Sequence, residues 1–141
     1  AIIRCSVVFS HFLNNKSNFF GWIYNNLNNN KEIKVVDDQS CNPTPVNLIS
    51  KVIESIILLN SNGIYNVGVT DNVNRYDFAM KICQKFKFKE SLIQKIKTDH
   101  LNQLARRPKN TYLITDKASK DLDIDIYSLD YYLNDIKQAI S

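Results

Sequence analysis

Apolar residues along the chain fall alternately into short β-branched runs and longer stretches with helical spacing. Residues 1–9 are β-branched and apolar and read as a strand. Residues 15–27 carry Phe19, Phe20, Ile23 and Leu27 at helical spacing, with Asn15 or Ser17 as cap. Ile33–Val36 reads as a second short strand and residues 37–42 as a polar loop. In Pro43-Thr44-Pro45, Thr44 is placed to cap a helix whose first position is Pro45. Val46, Ile49, Ile53, Ile56 and Ile57 form one apolar stripe on that helix, which should stop near Asn60-Ser61-Asn62-Gly63.

Residues 64–68 make a third strand, and Tyr76, Ala79, Ile82, Cys83 and Phe86 make the next helical stripe, capped from Asn72 or Asn74. Beyond Lys89 the pattern weakens into short pieces as far as Arg106-Arg107-Pro108. Residues 112–114 are expected to be extended, Thr115 to cap a short helix, and Ser128 to cap a last helix with the stripe Leu129, Leu133, Ile136 and Ile140. Strands interleaved with helices predict an α/β architecture, a small sheet whose parallel strands need flanking helices on their faces. Three or so short strands are few for such a sheet, so another part of it is expected elsewhere.

Composition narrows this picture. The chain has 141 residues, 44% apolar, 11% aromatic and 23% charged, which suits one globular domain or a piece of a larger one. A start inside a strand-like run predicts such a piece and does not resemble a signal peptide. The aliphatic run at residues 56–59 is far below the roughly 20 residues that span a bilayer, so no membrane partner is expected. Cys5, Cys41 and Cys83 are odd in number and widely spaced, which fits neither a disulfide framework nor a zinc site and predicts a reducing, cytoplasmic setting.

The net charge of +4 is unevenly spread. Residues 81–109 hold nine Lys or Arg against Glu90 and Asp99, whereas residues 115–141 hold six Asp against three Lys. The basic segment lacks the interleaved aromatics of a single-strand binder, so nucleic acid is not an expected partner.

Catalytic signatures are missing. Gly21, Gly63 and Gly68 stand too far apart for a glycine-rich phosphate loop. None of the seven tyrosines is followed four residues later by lysine, which excludes a Tyr-x-x-x-Lys acid within this chain. His11 and His100 are 89 residues apart, and no acidic residue is placed by sequence to orient either. Asp37-Asp38 offers a divalent cation two carboxylates, although such pairs more often cap turns, and no metal site is expected.

Two loops carry more chemistry. Residues 38–44 follow a strand and precede a helix, so Gln39, Ser40 and Thr44 could direct amide and hydroxyl groups into the cleft where α/β sheets bind ligands. Arg106-Arg107-Pro108-Lys109-Asn110 packs three cations and an amide around a rigid proline, a set suited to a diphosphate, although residue type alone favours solvated surface charge by roughly two to one.

Taken in order, Ile3-Arg4-Cys5-Ser6-Val7-Val8-Phe9, Asn18-Phe19, Val36-Asp37-Asp38-Gln39, Pro43-Thr44, Gly63-Ile64-Tyr65, Tyr76-Asp77-Phe78-Ala79 and Ala105-Arg106-Arg107-Pro108-Lys109-Asn110 resemble the C-terminal half of the dTDP-4-dehydrorhamnose reductases. These are extended short-chain dehydrogenase/reductases. The resemblance covers nearly the whole chain and implies a single substrate-binding domain over residues 1–141, the C-terminal part of an NAD(P)-binding Rossmann-type reductase that lacks its N-terminal half. The catalytic Tyr and Lys should precede Ala1, so no catalytic residue is expected here and the chain alone should be inactive.

By the same resemblance, NADPH or NADH serves the full-length protein and none binds this chain alone. Cys5 and Ser6 should lie near the nicotinamide, and Val7 stands where the family often has a Trp against the sugar. Phe9-Ser10 replaces the usual Tyr-Gly. Asn18, Gln39, Thr44, Arg107 and Asn110, with Arg106, are the residues implied for a dTDP-linked 4-keto-6-deoxy sugar. The implied partners are that nucleotide sugar and the Rossmann half, with a homodimer left open. The alternative is a non-catalytic regulatory subunit of the same fold, like the β subunit of methionine adenosyltransferase, which shares the Arg-Pro-x-Asn segment.

Overall fold

Strand and helix segments follow one another as β1 (Ile2–Phe9), α1 (Phe19–Asn28), β2 (Ile33–Val36), β3 (Ser40–Cys41), β4 (Pro43–Pro45), α2 (Val46–Leu58), β5 (Ile64–Val67), β6 (Val73–Asn74), α3 (Arg75–Phe86), β7 (Ile93–Ile96), α4 (Asp116–Leu122) and α5 (Leu129–Ile140). This computed structural model describes residues 1–13, 18–101 and 105–140. The expected α/β alternation is present.

β1 is central in a three-stranded parallel sheet of order β4-β1-β5. Its first half pairs with β5, from Ile2 opposite Ile64 to Cys5 opposite Val67. Its second half pairs with β4 on the other edge, with a register shift between Ser6 and Val8. β2 and β7 form a separate parallel pair, and β3 and β6 a short antiparallel one. β7 was not expected from the sequence, because Ile93-Gln94-Lys95-Ile96 has only two apolar residues and becomes a strand by pairing with β2. Residues 112–114 belong to no strand.

The helices show which local signals prevail. α3 starts as its cap requires: Asn74 Oδ1 accepts from the Asp77 N–H at 2.8 Å, while Asn74 Nδ2 donates to the Asp77 carboxylate at 2.7 Å. α5 starts at the expected Ser128, whose Oγ accepts from the Tyr131 N–H at 3.4 Å. α1 begins at Phe19 with Asn18 in the cap position, and the caps expected at Asn15 and Ser17 lie outside the described residues. Thr115 occupies the cap position of α4 without a side-chain cap hydrogen bond.

α2 departs most from expectation. Pro45 occupies the cap position, and Thr44 lies within β4 and caps nothing. The helix buries Leu48 and Val52, whereas Val46, Ile53 and Ile57 of the expected stripe are exposed, Ile57 to 71%. Apolar residues surround so much of this helix that spacing alone does not choose a face.

The core joins the sheet to helices α1, α3 and α5, and takes in Leu48 and Val52 of α2 and Ala118 and Leu122 of α4. It is built around Phe9, Phe20 and Phe78, with Ile23, Val67, Ile82, Leu129 and Leu133 fully enclosed. Burying each such side chain contributes about 1.5–3 kcal/mol. The Phe9 and Phe78 rings meet edge to face, centroids 5.2 Å apart.

Candidate functional site

The C-terminal ends of β2 and β7 run side by side, which brings residues 37–39 against residues 97–98. Asp38 Oδ1 accepts from the Thr98 backbone N–H at 3.0 Å and from its hydroxyl at 2.7 Å. The Thr98 hydroxyl bond is the main cause that holds the Asp38 carboxyl below its ordinary range. Gln39 Nε2 donates to the same hydroxyl oxygen at 3.0 Å. Lys97 Nζ sits 2.8 Å and 2.9 Å from the two carboxylate oxygens of Asp37, and that hydrogen bond raises the lysine pKa. Both carboxylates are therefore engaged in turn and ion-pair contacts, the ordinary reading weighed for Asp37-Asp38.

The Arg-Pro loop is fastened onto this corner from 70 residues away. The Ser40 N–H donates to the Lys109 carbonyl at 2.8 Å, the Thr111 N–H donates back to the Ser40 carbonyl at 2.9 Å, and Ser40 and Asn110 form a parallel bridge. Asn110 Oδ1 accepts from the Tyr112 N–H at 3.0 Å and shapes the loop exit. Arg106, Arg107, Pro108 and Lys109 then line an open cleft of about 660 Å³ with Asp38, Thr98 and Asp99.

Arg107 also borders a neighbouring cleft of about 470 Å³, lined by Phe19, Trp22, Lys34, Val35, Val36, Gln39, Arg75 and Leu101. The Arg75 N–H donates to the Gln39 carbonyl at 3.1 Å, and its guanidinium lies 4.8 Å from the centroid of the Phe19 ring. Phe19 in turn stacks with Trp22 at 5.9 Å and 21°. Burial, and to a smaller extent the charge of Arg107, lowers the Arg75 pKa.

The expected site residues divide into two groups. Gln39, Arg106 and Arg107 line these two clefts, while Asn110 turns its side chain to the Tyr112 N–H at the loop exit. Asn18 and Thr44 turn into the fold. Asn18 is buried and donates to the Ser10 carbonyl at 2.8 Å and the Phe12 carbonyl at 3.1 Å, so it ties down the loop after β1. Thr44 is fully buried; its hydroxyl lies 3.0 Å from the Ser6 carbonyl and 2.9 Å from the Val67 carbonyl, and accepts from the Ser6 N–H at 3.3 Å. It stitches β1, β4 and β5 together, which corrects its expected role at a helix start.

On β1, Cys5 is exposed and the Ser6 hydroxyl lies 3.2 Å from that of Thr111. Val7 has φ +45°, a left-handed conformation that a β-branched residue rarely takes, and it sits at the register shift between Ser6 and Val8. Such strain costs of order 1–3 kcal/mol and concentrates at functional positions.

Arg75 and Trp22 were not singled out in the sequence. Two signals were available: Arg75 places a cation at the first position of a helix, where the dipole disfavours it, and Trp22 is the one tryptophan in the chain.

The sheet, its flanking helices and the paired loops define a mixed α/β fold of small parallel sheets with flanking helices. The chain belongs to the family described as the RmlD substrate binding domain, whose profile matches residues 1–140. It is similar to the dTDP-4-dehydrorhamnose reductase of Bacillus anthracis solved with NADP, at 23% identity and a TM-score of 0.87, covering 98% of this chain and 48% of that one. A hypothetical dTDP-4-dehydrorhamnose reductase from Sulfolobus tokodaii matches at 27% identity and a TM-score of 0.76, over 94% of this chain and 45% of that one.

The likeness extends to the dTDP-glucose 4,6-dehydratase of Bacillus anthracis in complex with NAD, at 13% identity and a TM-score of 0.77, over 96% of this chain and 42% of that one. The chain thus spans about half the length of these proteins. No curated protein matches it. These findings bear out the resemblance carried by the motifs, and give the regulatory-subunit alternative no support. Among the described residues no helix is long and apolar enough to cross a membrane.

Proposed function

We propose that this chain is the part of an NAD(P)H-dependent reductase that binds and orients a dTDP-linked 4-keto-6-deoxy sugar. The observation that carries this reading is the fastening of the Arg-Pro loop to the Asp-Gln loop through Ser40, which sets Arg107 between two open clefts. An arginine held by a neighbouring proline can grip a diphosphate with two parallel hydrogen bonds. Gln39 borders one of these clefts and Arg106 the other, and Asn110 sets the loop's exit.

The chain has no glycine-rich loop for a dinucleotide pyrophosphate, so the cofactor belongs mainly to an N-terminal Rossmann half. The residues of this chain that fit the nicotinamide end are Cys5, on the exposed side of β1, and Ser6 beside it. When bound, the cofactor supplies the hydride. Val7, in its left-handed conformation, turns the strand at the place implied for the sugar. Asn18 and Thr44 serve this site from behind: one secures the loop after β1, the other the sheet beneath Ser6. Proton delivery to the sugar carbonyl requires the Tyr and Lys of the upstream half.

The test is turnover. The full-length gene product should oxidise NADPH or NADH when given a dTDP-4-keto-6-deoxy sugar, and the 141-residue chain alone should not. An upstream sequence without Tyr-x-x-x-Lys, together with no turnover by the full-length protein, would overturn the reductase reading.

A further inference from the structure

Asn62-Gly63 is the one Asn-Gly pair in the sequence, and it leads from the end of α2 into β5. Both residues are exposed, and Gly63 has φ +129°, a conformation that residues with a side chain rarely adopt. The Gly63 N–H donates to no acceptor among the described residues, whereas the Gly63 carbonyl accepts from the Ile2 N–H at 2.8 Å. Asn60-Ser61, directly before it, is arranged the other way: the Ser61 N–H is held by the Ile56 carbonyl at 3.0 Å. An asparagine carboxamide thus faces an unengaged backbone nitrogen at one pair and an occupied one at the other.

The fold adds a cation to the first pair. Lys117, in the first turn of α4, reaches this loop: Nζ donates to the Ile64 carbonyl at 3.2 Å, lies 4.7 Å from the centroid of the Tyr65 ring, and stands 3.1 Å from where a Cβ on Gly63 would sit. Lys117 forms no ion pair among the described residues. An ammonium held beside an amide favours the charged, deprotonated form of that amide.

We infer that Asn62 is a site of spontaneous covalent modification, at which the Gly63 nitrogen cyclises onto the Asn62 carboxamide and Lys117 favours the step. The Gly63 amide loses its proton and its nitrogen attacks Cγ of Asn62. The new N–Cγ bond forms, the Cγ–Nδ2 bond breaks, and Nδ2 takes up a proton and leaves as ammonia. Water then adds to one of the two carbonyls of the five-membered succinimide and opens it to aspartate or isoaspartate, with nothing oxidised or reduced. Isoaspartate lengthens the main chain by one carbon just before Gly63, whose carbonyl opens the pairing of β1 with β5, so the modified protein should melt lower. The inference is independent of the nucleotide-sugar reading.

The experiment is peptide mapping of the full-length gene product kept folded in mildly alkaline buffer at physiological temperature, with isoaspartate detected by enzymatic methylation of its carboxylate. Position 62 should convert before every other asparagine, Asn60 included, and Asn62→Gln should remove the product. Lys117→Met should slow the conversion by roughly two- to fivefold in the folded protein. It should leave the rate in urea unchanged, and Lys117→Arg should keep the folded rate. A role of Lys117 limited to packing would give the opposite sign, since a loosened turn reacts faster, toward the unfolded rate.

If position 62 converts no faster than Asn60 in the folded protein, the site falls. If it converts first but Lys117→Met leaves the folded rate unchanged, the turn reacts as the Asn-Gly sequence alone dictates and the assisted step falls. Should Lys117→Met fail to fold, Lys117→Gln decides by the same comparison of folded and unfolded rates.

Discussion

The carboxamide of Asn42 and the backbone of Leu113 hold each other at both ends: Nδ2 donates to the Leu113 carbonyl at 2.8 Å and Oδ1 accepts from the Leu113 N–H at 2.9 Å. Asn42 is fully buried, and its Nδ2 also reaches the Val69 carbonyl at 3.3 Å. One side chain therefore replaces a strand partner for the segment that leaves the Arg-Pro loop. Asn42→Ala leaves these backbone groups without their partner, and a loss of about 2–3 kcal/mol of stability is expected. Denaturant unfolding should show it as a lower midpoint at unchanged slope.

Gly68 is the counterpart of that arrangement. A Cβ built on it would lie 2.7 Å from both the Asn42 carbonyl oxygen and Nδ2, inside any real contact distance. Gly68→Ala should destabilise the fold by about 1–3 kcal/mol through this overlap. Combined with Asn42→Ala, its effect should fall short of the sum, since that variant removes one of the two clashing groups; a double-mutant cycle reads the difference.

Arg107→Ala tests the diphosphate grip. A lost charge-assisted hydrogen bond of about 1.5–3 kcal/mol corresponds to a roughly 10- to 150-fold higher KM for the nucleotide sugar. Turnover at saturation should change less, because the phosphates lie away from the carbonyl and are held alike in ground and transition states. Added salt should narrow the gap, since Arg107 is exposed. A KM within twofold of wild type at low salt would assign this arginine to surface charge.

Acid should loosen the corner where β2 and β7 end. The Asp38 carboxyl titrates lower in the folded protein than in the unfolded chain because Thr98 hydrogen-bonds its charged form. Its contribution to stability is therefore complete above the unfolded carboxyl value of about 3.9 and is lost as pH falls from there through the folded value. Melting temperatures followed from pH 6 to pH 2, a range of about four units around that carboxyl, should fall less steeply for Asp38→Asn than for wild type.

The isolated 141-residue chain should self-associate. Ile57 and Leu58 on α2 are 71% and 76% exposed, and the Ile2–Cys5 half of β1 has a strand partner on only one side among the described residues. An apolar helix face and an open sheet edge together favour association. Sedimentation velocity should show oligomers that Ile57→Lys with Leu58→Lys reduces. A monomer at all concentrations would mean that the exposed face is tolerated in water.

Much of this protein follows from local pattern. The α/β order, the Ser128 cap and the stripes of α3 and α5 depend on residues within a few positions of one another, so spacing and cap chemistry suffice to read them, whereas the α3 cap is narrowed only to Asn72 or Asn74 and the structure selects Asn74. The Arg-Pro and Asp-Gln loops are legible for the same reason, as short runs of unusual chemistry. Tertiary structure alone decided which face of α2 is buried, since Val46, Leu48, Ile49, Val52, Ile53, Ile56 and Ile57 offer more than one apolar stripe and the choice falls to β4 and α4. It also decided that Ile93–Ile96 is a strand, which only its pairing with β2 establishes. Thr44 reads as a cap from its neighbours, yet Ser6 and Val67, distant in sequence, turn it into a link within the sheet. Arg75 is an ordinary helix-start residue until the fold sets it over Phe19 and beside Arg107, because its setting is made by chain segments up to about 56 residues away in sequence.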